Sequence, residues 1–339
     1  MKEGMQRKLE DLFRGLKVLV IGDIMLDTYI WGKAERLSPE APVPVVEVEK
    51  RTGSPGGAAN VAANLKSLGA IPFICSITGE DLRGEELFKL LDNQGINTQG
   101  IIKVPERVTT TKFRIIANKT QLLRVDEETN APLDAQSTRM LLQRITQVIE
   151  SENPSAIIFQ DYDKGVITPL LIESIISLAI EKNIPVCVDP KRRNFMAYQK
   201  ATLFKPNLKE FREGIGTTRE SKILPERLEQ EMSGLQEMLQ CEILMVTLSD
   251  KGMALRFRDK DRWRFDIFPA EVRQVADVSG AGDTVISVAA LGLAAGLTPP
   301  ETAILANLAG GIVCEEVGVV PINLDKLQKE YIKLQPTGQ

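Results

Sequence analysis

Short apolar runs that alternate with amphipathic segments constrain the fold of this chain more than any other feature. The first run, Lys17–Gly22, is typical of a strand buried in a parallel sheet. The later predicted strands are 71–76, 156–160, 186–188, 202–204 and 243–247, and the helices between them are 82–93, 135–150, 169–182 and 222–240. This alternation predicts an α/β fold with a doubly wound, mostly parallel central sheet flanked by helices.

Two segments interrupt the alternation with strand-like sequence. In the first, three prolines block helix formation and Val43–Lys50 predicts a strand with one polar face. In the second, Thr109–Ile116 and Gln121–Val125 predict a hairpin that turns at Asn118-Lys119. We expect both segments to form a small β-sheet lid over the ligand edge of the main sheet, at about 28–51 and 98–126.

The bulk composition is that of a globular protein. Of the 339 residues, 43% are hydrophobic and 26% are charged, and the net charge of −4 gives no electrostatic reason to expect nucleic acid as a partner. No apolar run reaches the roughly 18 residues that a membrane span needs. The N-terminus predicts a short polar helix over residues 2–14 rather than a signal peptide. We therefore expect a single cytoplasmic domain over residues 1–339, with no membrane partner.

Cysteine and histidine usage narrows the possible chemistry. The four cysteines are far apart and lie mostly in apolar runs, as small core residues do in a reducing compartment. The chain has no histidine, which excludes Ser-His-Asp catalysis and histidine-based zinc sites. Acid–base work must fall to carboxylates, lysines or tyrosines, and a metal ion would be a hard cation bound by oxygen.

A glycine-rich motif, Asp277–Thr284, offers the clearest chemical signal. Gly280, Ala281 and Gly282 are small enough for backbone amides to turn toward an anion at the start of a helix. Asp283 follows directly, where an anion-binding loop would ordinarily avoid negative charge. This placement suggests a general base beside a phosphoryl group. The alternative is an ordinary glycine-rich helix start, capped by Ser279 or Asp277.

Candidate sugar ligands come from two earlier loops. Asp27 follows the first strand at the edge where α/β sheets bind ligands, and could accept hydrogen bonds from two hydroxyls. Gly56 and Gly57 permit close approach of backbone to a ligand, and Asn60 offers both a donor and an acceptor. The alternatives are a loop carboxylate and a tight turn before a packed helix.

Two later loops suit a nucleotide. Asn207 and Glu210 share one helical face and could bind Mg²⁺ through waters beside phosphates, although the pair also fits a helix N-cap with its capping-box glutamate. The other loop, Thr247–Gly252, predicts a turn into a hairpin and contributes Thr247, Ser249 and Gly252.

These motifs, in this order and spacing, resemble the PfkB or ribokinase family of sugar kinases from about Lys17 to Pro321. The resemblance implies a ribokinase-like fold and an ATP- and Mg²⁺-dependent kinase. It assigns the anion hole to Gly280–Gly282, the catalytic base to Asp283 and the magnesium site to Asn207 and Glu210. Asp27, Gly56, Gly57 and Asn60 would face the sugar, and Thr247–Gly252 would line the nucleotide, with Ser249 in place of a common glycine.

A closer resemblance is to the D-glycero-D-manno-heptose 7-phosphate kinases of ADP-heptose and lipopolysaccharide core biosynthesis. It is carried by Gly22–Asp27, Ser38–Val45, Asp161–Gly165, Asp189–Lys191 and Lys205–Asn207, with Asp163 where the subgroup usually has glycine. It implies phosphorylation of the C1 hydroxyl of a heptose 7-phosphate. Some relatives carry a second, adenylyltransferase domain with an H-x-G-H motif, so we expect only the kinase domain in this histidine-free chain.

A phosphorylated sugar needs a cationic clamp. We expect Lys164 first, then Lys191, Arg114 and Arg124, although each could be a solvated surface charge. The exposed strand edges of the lid favour a homodimer through the lid. Two alternatives stay open: a PfkB kinase for fructose 6-phosphate, ribose or a nucleoside, and a sugar- or nucleotide-binding protein that has lost catalysis.

Overall fold

A computed structural model describes residues 8–217, 223–271 and 273–334. Within these ranges the strands, in chain order, are β1 (Lys17–Gly22), β2 (Ile24–Leu37), β3 (Pro44–Gly57), β4 (Ile71–Thr78), β5 (Ile101–Lys103), β6 (Thr111–Ala117), β7 (Thr120–Glu127), β8 (Ala156–Gln160), β9 (Val186–Asp189), β10 (Leu203–Phe204), β11 (Ile243–Thr247), β12 (Met253–Asp259) and β13 (Arg262–Phe268).

The helices of the same described ranges are α1 (Leu9–Phe13), α2 (Ala58–Ser67), α3 (Leu82–Asn93), α4 (Ala135–Glu152), α5 (Pro169–Glu181), α6 (Leu208–Gly214), α7 (Pro225–Leu239), α8 (Ala281–Ala294), α9 (Pro299–Val313) and α10 (Leu324–Leu334). Several begin at the polar caps that their sequences offer. Thr168 accepts a hydrogen bond from the amide of Leu171 and is followed by Pro169 at the first helical position, which fixes the start of α5.

The main sheet has nine strands in the order β13-β12-β11-β10-β9-β8-β1-β4-β5. All neighbouring pairs from β11 to β5 are parallel, and β12 and β13 extend the sheet as an antiparallel hairpin. Every predicted strand of the main sheet is present, with ends that differ by one or two residues. The prediction of a doubly wound, mostly parallel sheet is therefore confirmed.

Successive side chains of the central strands point to opposite faces of the sheet and pack in two separate hydrophobic cores. Val18 and Val20 of β1 pack in a cluster with residues of α2, α8 and α9, whereas Leu19 and Ile21 pack in a second cluster with residues of α4, α5 and α7. A strand with helices on both of its faces needs apolar side chains at every position, which is the pattern of this run. Residues 283–292 of α8 are buried because this helix lies between α2, α9 and the sheet.

The second sheet, called the lid below, has the strand order β3-β2-β6-β7. The β6–β7 turn falls at Asn118 and Lys119, whose φ values of 51° and 65° match the predicted hairpin. The predicted lid boundaries are partly wrong. Residues 101–103 pair with β4 at the edge of the main sheet, and β2 and β3 run inward to Ile24 and Gly57, because the lid strands grow out of the ligand edge without a break.

Two helix predictions extend beyond what the structure describes. For the segment 2–14, the described part is α1, and Met1–Arg7 lie outside the described residues. The segment 222–240 corresponds to α7, and residue 222 also lies outside. Among the described residues, no helix combines the length and the apolar character that crossing a membrane requires.

Candidate active site

The N-terminus of α8 lies at the carboxyl edge of the main sheet. The chain enters this helix at Gly280, whose φ of 81° is in the left-handed region that favours glycine. Asp277 fixes the turn, because its carboxylate accepts hydrogen bonds from the amides of Ser279 (2.9 Å) and Gly318 (3.1 Å). The positive end of a buried helix is thereby aimed into the cavity described below.

The three predicted amide donors are not equivalent. Gly280 and Gly282 line the cavity, but the amide of Ala281 donates to the carbonyl of Val278 at 3.3 Å. The expectation that all three amides face the anion is therefore wrong for Ala281 in this structure, because the loop uses that amide to close its own turn. Amides in the first turn of a helix lack intrahelical acceptors, and Gly282 belongs to that turn.

Asp283 is buried at the start of α8, with 4% of its surface exposed. Its Oδ2 accepts a hydrogen bond from Nδ2 of Asn60 at 2.7 Å. Its Oδ1 accepts hydrogen bonds from the hydroxyl of Tyr162 at 2.7 Å and from Nε2 of Gln160 at 3.1 Å. Asn60, predicted to face the sugar, thus lies against the candidate base, and its contact with a sugar stays a prediction.

The environment of Asp283 suits a base that works near neutral pH. Burial raises the pKa of its carboxyl to about 6, while the hydrogen bonds from Asn60 and Tyr162 oppose the rise. The negative charge of Asp189 raises this pKa further, and the ammonium of Lys205 lowers it. The carboxyl is therefore ionised at pH 7 yet basic enough to accept a proton from a hydroxyl during reaction.

A buried ion pair lies beside the same helix start. Nζ of Lys205 is 3.0 Å from Oδ2 of Asp189, and both side chains line the cavity with Gly282. The amide of Gln160 joins this pair to Asp283, because Nε2 is also 3.3 Å from Oδ2 of Asp189. The nitrogen must face this way, since a carbonyl oxygen there would oppose two carboxylates.

A cavity of about 850 Å³ opens from Asp283 along the ends of β9, β10 and β11. Its walls come from the loops that the sequence placed on the nucleotide side. The lining includes Asn207, Glu210, Thr247 and Ser249 together with Gly280, Gly282 and Asp283. This volume is ample for a nucleotide whose last phosphate would reach the helix start.

The Asn207–Glu210 pair forms the capping box of α6. Oδ1 of Asn207 accepts from the amide of Glu210 (2.9 Å), and Oε2 of Glu210 accepts from the amide of Asn207 (2.8 Å). The other oxygen of Glu210 forms an ion pair with Lys191. In the described part of the chain, no three acidic or cysteine side chains are grouped to hold a metal ion directly. The donor set therefore fits Mg²⁺ only through intervening waters and substrate phosphates.

In the loop after β11, a serine adopts a backbone conformation that usually favours glycine. Ser249 has a φ of 59°, so the serine adopts the left-handed conformation. Asp163 does the same, with a φ of 56°, where the resembled subgroup has glycine. Gly252 is not among the residues that line the cavity. Its role is local, because a Cβ there would lie 2.0 Å from the carbonyl oxygen of Phe268.

The candidate sugar residues meet where the lid joins the main sheet. Asp27 is buried and forms an ion pair with Arg114, whose guanidinium also lies 5.2 Å from the ring centre of Tyr29. The two glycines of β3 make room for oxygen atoms of β2 and of the residue before it, a carboxylate oxygen at Gly56 and a backbone carbonyl oxygen at Gly57. A Cβ on Gly56 would lie 2.3 Å from Oδ2 of Asp27, and one on Gly57 would lie 2.3 Å from the carbonyl oxygen of Asp23.

The four predicted phosphate-binding cations fall in different places. Arg114 pairs with Asp27, and Lys191 lies on the nucleotide side, with Nζ 5.4 Å from the ring centre of Tyr162. Arg124 is half-exposed and pairs with Asp126 at 3.0 Å. Lys164 lies beneath the lid, where its Nζ is 2.7 Å from Glu128. The four do not form one cluster.

Sequence reasoning missed four residues of the site, namely Gln160, Tyr162, Asp189 and Lys205. All four lie in or just after strands that were predicted, and Tyr162, Asp189 and Lys205 belong to segments that carry the closer resemblance. The available signal was their position at the carboxyl ends of neighbouring strands. The two lysines chosen from those segments, Lys164 and Lys191, both lie farther from the helix start.

The family model described as "pfkB family carbohydrate kinase" matches residues 16–326. The chain belongs to this family. Membership was predicted from the glycine-rich and N-x-x-E motifs and is confirmed.

Relatives called bifunctional protein HldE match over most of the chain. The protein from Magnetococcus marinus is 42% identical over 96% of this chain and 66% of its own length, and that from Helicobacter pylori is 38% identical over 92% and 65%. The chain thus spans slightly less than two thirds of these relatives.

Solved structures show the same fold at low sequence identity. Phosphofructokinase-2 from Escherichia coli, in complex with potassium, has a TM-score of 0.76 at 18% identity and covers 94% of this chain and 99% of its own. Ribokinase from Arabidopsis thaliana, complexed with ribose and ATP, has a TM-score of 0.69 at 17% identity and covers 93% and 99%. The predicted ribokinase-like fold with a small second sheet is therefore confirmed.

Proposed function

We propose that the chain transfers the γ-phosphoryl group of ATP to the C1 hydroxyl of D-glycero-D-manno-heptose 7-phosphate, giving the 1,7-bisphosphate used in ADP-heptose synthesis. The observation that carries this proposal is Asp283, an ionised, buried carboxyl at the start of α8 that lines a cavity of nucleotide size. The HldE relatives and the motifs shared with heptose 7-phosphate kinases support this acceptor. A cytoplasmic location is proposed with it, as expected for a catalyst that consumes ATP.

In the proposed reaction, Asp283 takes the proton of the acceptor hydroxyl as its oxygen attacks the γ-phosphorus. The bond between the γ-phosphorus and the β,γ-bridging oxygen breaks, and ADP leaves with that electron pair. The helix N-terminus and the amide of Gly282 stabilise the charge on the transferring group. The ammonium of Lys205 adds a positive charge close by, and Asp189 holds it in place.

Magnesium would bind to the nucleotide phosphates and to waters held by Asn207 and Glu210. When bound, it supplies positive charge that offsets the charge on the β and γ oxygens. Glu210 is prepared for this role because the capping box fixes its orientation. Lys191, paired with the same glutamate, would lie beside the phosphates of ATP rather than beside the distal phosphate of the sugar.

The distal phosphate of the sugar is assigned to Lys164 and a second lysine, Lys112. Glu128 lies between them, with carboxylate oxygens 2.7 Å from Nζ of Lys164 and 3.4 Å from Nζ of Lys112. Lys112 pairs across strands with Asp27, so both side chains leave the lid on its site-facing side. A phosphate that displaced Glu128 would contact two cations that are already oriented.

The outer face of the lid supports a homodimer. Ile30, Ile115 and Leu123 follow one another across β2, β6 and β7 on the side opposite Asp27, and Val125 lies beside them. Leu123 is 56% exposed and Val125 is 43% exposed, which leaves an apolar face uncovered. A second copy of the lid would cover this face and the open strand edge.

The oligomer is tested by analytical ultracentrifugation of Leu123→Asp. We expect the dimer of the native chain to dissociate, because a carboxylate would be buried in the apolar contact. Ile180→Asp is the control, since Ile180 is 52% exposed and lies near the end of α5, a helix that packs against α4 on one face of the main sheet. A native chain that sediments as a monomer would contradict this part of the proposal.

The acceptor is tested by a panel of sugars assayed with ATP and Mg²⁺. We expect heptose 7-phosphate to have the highest kcat/KM, above unphosphorylated heptose, fructose 6-phosphate, ribose and adenosine. A preference for one of the last three would identify a family member with another acceptor. Tight ligand binding with no transfer to any acceptor would identify a binding protein.

A further inference from the structure

The two oxygens of the Asp283 carboxylate have different surroundings. Oδ1 accepts two hydrogen bonds, from the hydroxyl of Tyr162 and from the amide of Gln160. Oδ2 accepts one, from the amide of Asn60. Because a carboxylate oxygen offers about two lone-pair directions, Oδ1 is saturated and Oδ2 retains one free direction.

We propose that Tyr162 is a positioning residue that occupies Oδ1 of Asp283 and so makes Oδ2 the atom that takes the acceptor's proton. This inference rests on the kinase function proposed above. In the step, the acceptor O–H bond breaks and an O–H bond forms on Oδ2. The acceptor oxygen keeps the electron pair and forms the new bond to phosphorus. The hydroxyl of Tyr162 keeps its own proton throughout.

Tyr162 is held in place by a buried carboxylate at the end of β1. Asp23 accepts hydrogen bonds from the backbone amides of Tyr162 (2.8 Å), Lys164 (3.2 Å) and Val166 (3.1 Å). The loop that carries Tyr162 is thus tied to the central strand by the same side chain at three points. A tyrosine on so constrained a loop can orient its neighbour with little entropic cost.

The ionisable groups around the pair keep Tyr162 a donor. Burial and the nearby charges of Asp283, Asp189 and Asp27 raise the pKa of the Tyr162 phenol well above its ordinary value, so its proton stays on. Lys205 also acts on Asp283 across the site, and the pKa of Lys191 is raised partly by the charge of Asp283. The hydrogen bond from the phenol of Tyr162 stabilises the ionised form of Asp283. Removing the phenol must therefore raise the pKa of the Asp283 carboxyl.

The chain contains a matched control. Tyr198, in the segment between β9 and β10, is buried and donates its hydroxyl to Oδ2 of Asp161 at 2.7 Å, which is the same kind of bond at the same length. Tyr198→Phe therefore removes an equivalent phenol–carboxylate bond without touching Asp283. Gln160→Met removes the other donor from Oδ1 and serves as the second test variant if Tyr162→Phe does not fold.

The experiment reads the pKa of Asp283 directly, by ¹³C NMR titration of labelled aspartate carboxyls in the free protein, with Asp283→Asn assigning the signal. Tyr162→Phe should raise this pKa, and kcat for the sugar phosphate should fall about tenfold even at pH 8, where Asp283 is ionised in both proteins. Tyr198→Phe should lower thermal stability but leave the titration of Asp283 where it is.

Three results would overturn the inference: an unshifted titration in both Tyr162→Phe and Gln160→Met, an equal shift in Tyr198→Phe, or an unchanged kcat at pH 8 in Tyr162→Phe. The titration needs no substrate. A shifted pKa in a protein that phosphorylates no sugar would therefore reject the proposed function and leave the contact between Tyr162 and Asp283 established.

Discussion

The helix start of α8 and the lid treat their charged groups in opposite ways. Asp283, Asp189 and Lys205 are buried, and each is fixed by hydrogen bonds or an ion pair within the main sheet's ligand edge. Apart from the buried pair of Asp27 and Arg114, the lid carries charges at or near its surface, where Arg124 pairs with Asp126 and Lys33 pairs with Glu49. The buried group is suited to chemistry that requires fixed geometry. The lid is suited to partners that can be exchanged.

This difference indicates which region controls the rate of the reaction and which controls affinity for the sugar. A buried charge without its partner costs several kcal/mol, so a change at the helix start cannot be absorbed by relaxation. An exposed pair contributes about 0–1 kcal/mol and is easily replaced by a substrate group. Changes at the helix start should therefore act on kcat, and changes in the lid should act on KM for the sugar.

The largest effect is expected for Asp283→Asn, which removes the proton acceptor and keeps the shape. We expect kcat to fall by about 10³-fold in a coupled ADP-release assay. Glu49→Gln makes the same chemical change on the lid, at a side chain that is 55% exposed, and should leave kcat within about threefold of the native value. Comparable losses in the two variants would remove the distinction between the regions.

The next effect is expected for Gly280→Ala. The new Cβ would be forced into a left-handed residue and would lie 3.1 Å from Nδ2 of Asn60, so the amides at the helix start should shift. We expect kcat to fall by roughly 10²-fold. Gly296→Ala is the matched control just beyond the other end of α8, since its φ is 76° and nothing lies within 4 Å of its Cβ position.

Both glycine variants should lose about 1–2 kcal/mol of unfolding free energy in urea titrations, because each strains one left-handed residue. Only the variant at the start of the helix should lose activity. A Gly296→Ala protein with the same loss of kcat would show that activity follows the stability of α8 rather than the geometry of the anion loop.

A smaller effect, confined to KM, is expected for the two lysines that flank Glu128, namely Lys112 of the lid and Lys164 of the loop after β8. Lys164→Ala and Lys112→Ala should each raise KM for heptose 7-phosphate roughly 10- to 100-fold and leave KM for ATP nearly unchanged, because each removes a charged hydrogen bond to the distal phosphate. Lys33→Ala removes a lid lysine that pairs only with Glu49 among the described residues and should change neither constant. Parallel rises in both KM values for Lys164→Ala would instead indicate structural damage.

The smallest effect is expected from pH. Because burial raises the pKa of Asp283 to about 6, kcat/KM should be level from pH 7 to 8 and fall about tenfold per unit below pH 6, as the base becomes protonated. The value of kcat/KM falls at low pH because Asp283 acts as a base, and only its ionised carboxyl accepts a proton. A profile that stays level down to pH 5 would mean that the base has an ordinary, solvated pKa.

Residue patterns predicted the main sheet and the anion loop because both depend on local sequence. A strand buried on two faces needs a continuous apolar run, and a helix start that binds anions needs small residues, so Lys17–Gly22 and Gly280–Gly282 could be read directly. The left-handed φ of Ser249 and Asp163 could not, because neither residue type requires that conformation.

The partners of Asp283 depend on which strands become neighbours. Gln160 and Tyr162 reach the carboxyl, and Asp189 lies close enough to act on it by charge, only because β8 and β9 lie side by side at the middle of the sheet, near the helix start. The sequence gives no direct signal of strand order. For the same reason Lys164 and Lys191, both strand-end lysines, could not be distinguished, although one lies beneath the lid and the other beside Glu210.

The most direct test of the central proposal is phosphorus NMR of the product formed from ATP-Mg and heptose 7-phosphate. We predict a new resonance coupled to the anomeric proton, alongside the retained 7-phosphate signal, with no such resonance from Asp283→Asn. A product phosphorylated at any other oxygen, or release of ADP and inorganic phosphate without a new sugar phosphate, would contradict the proposed reaction.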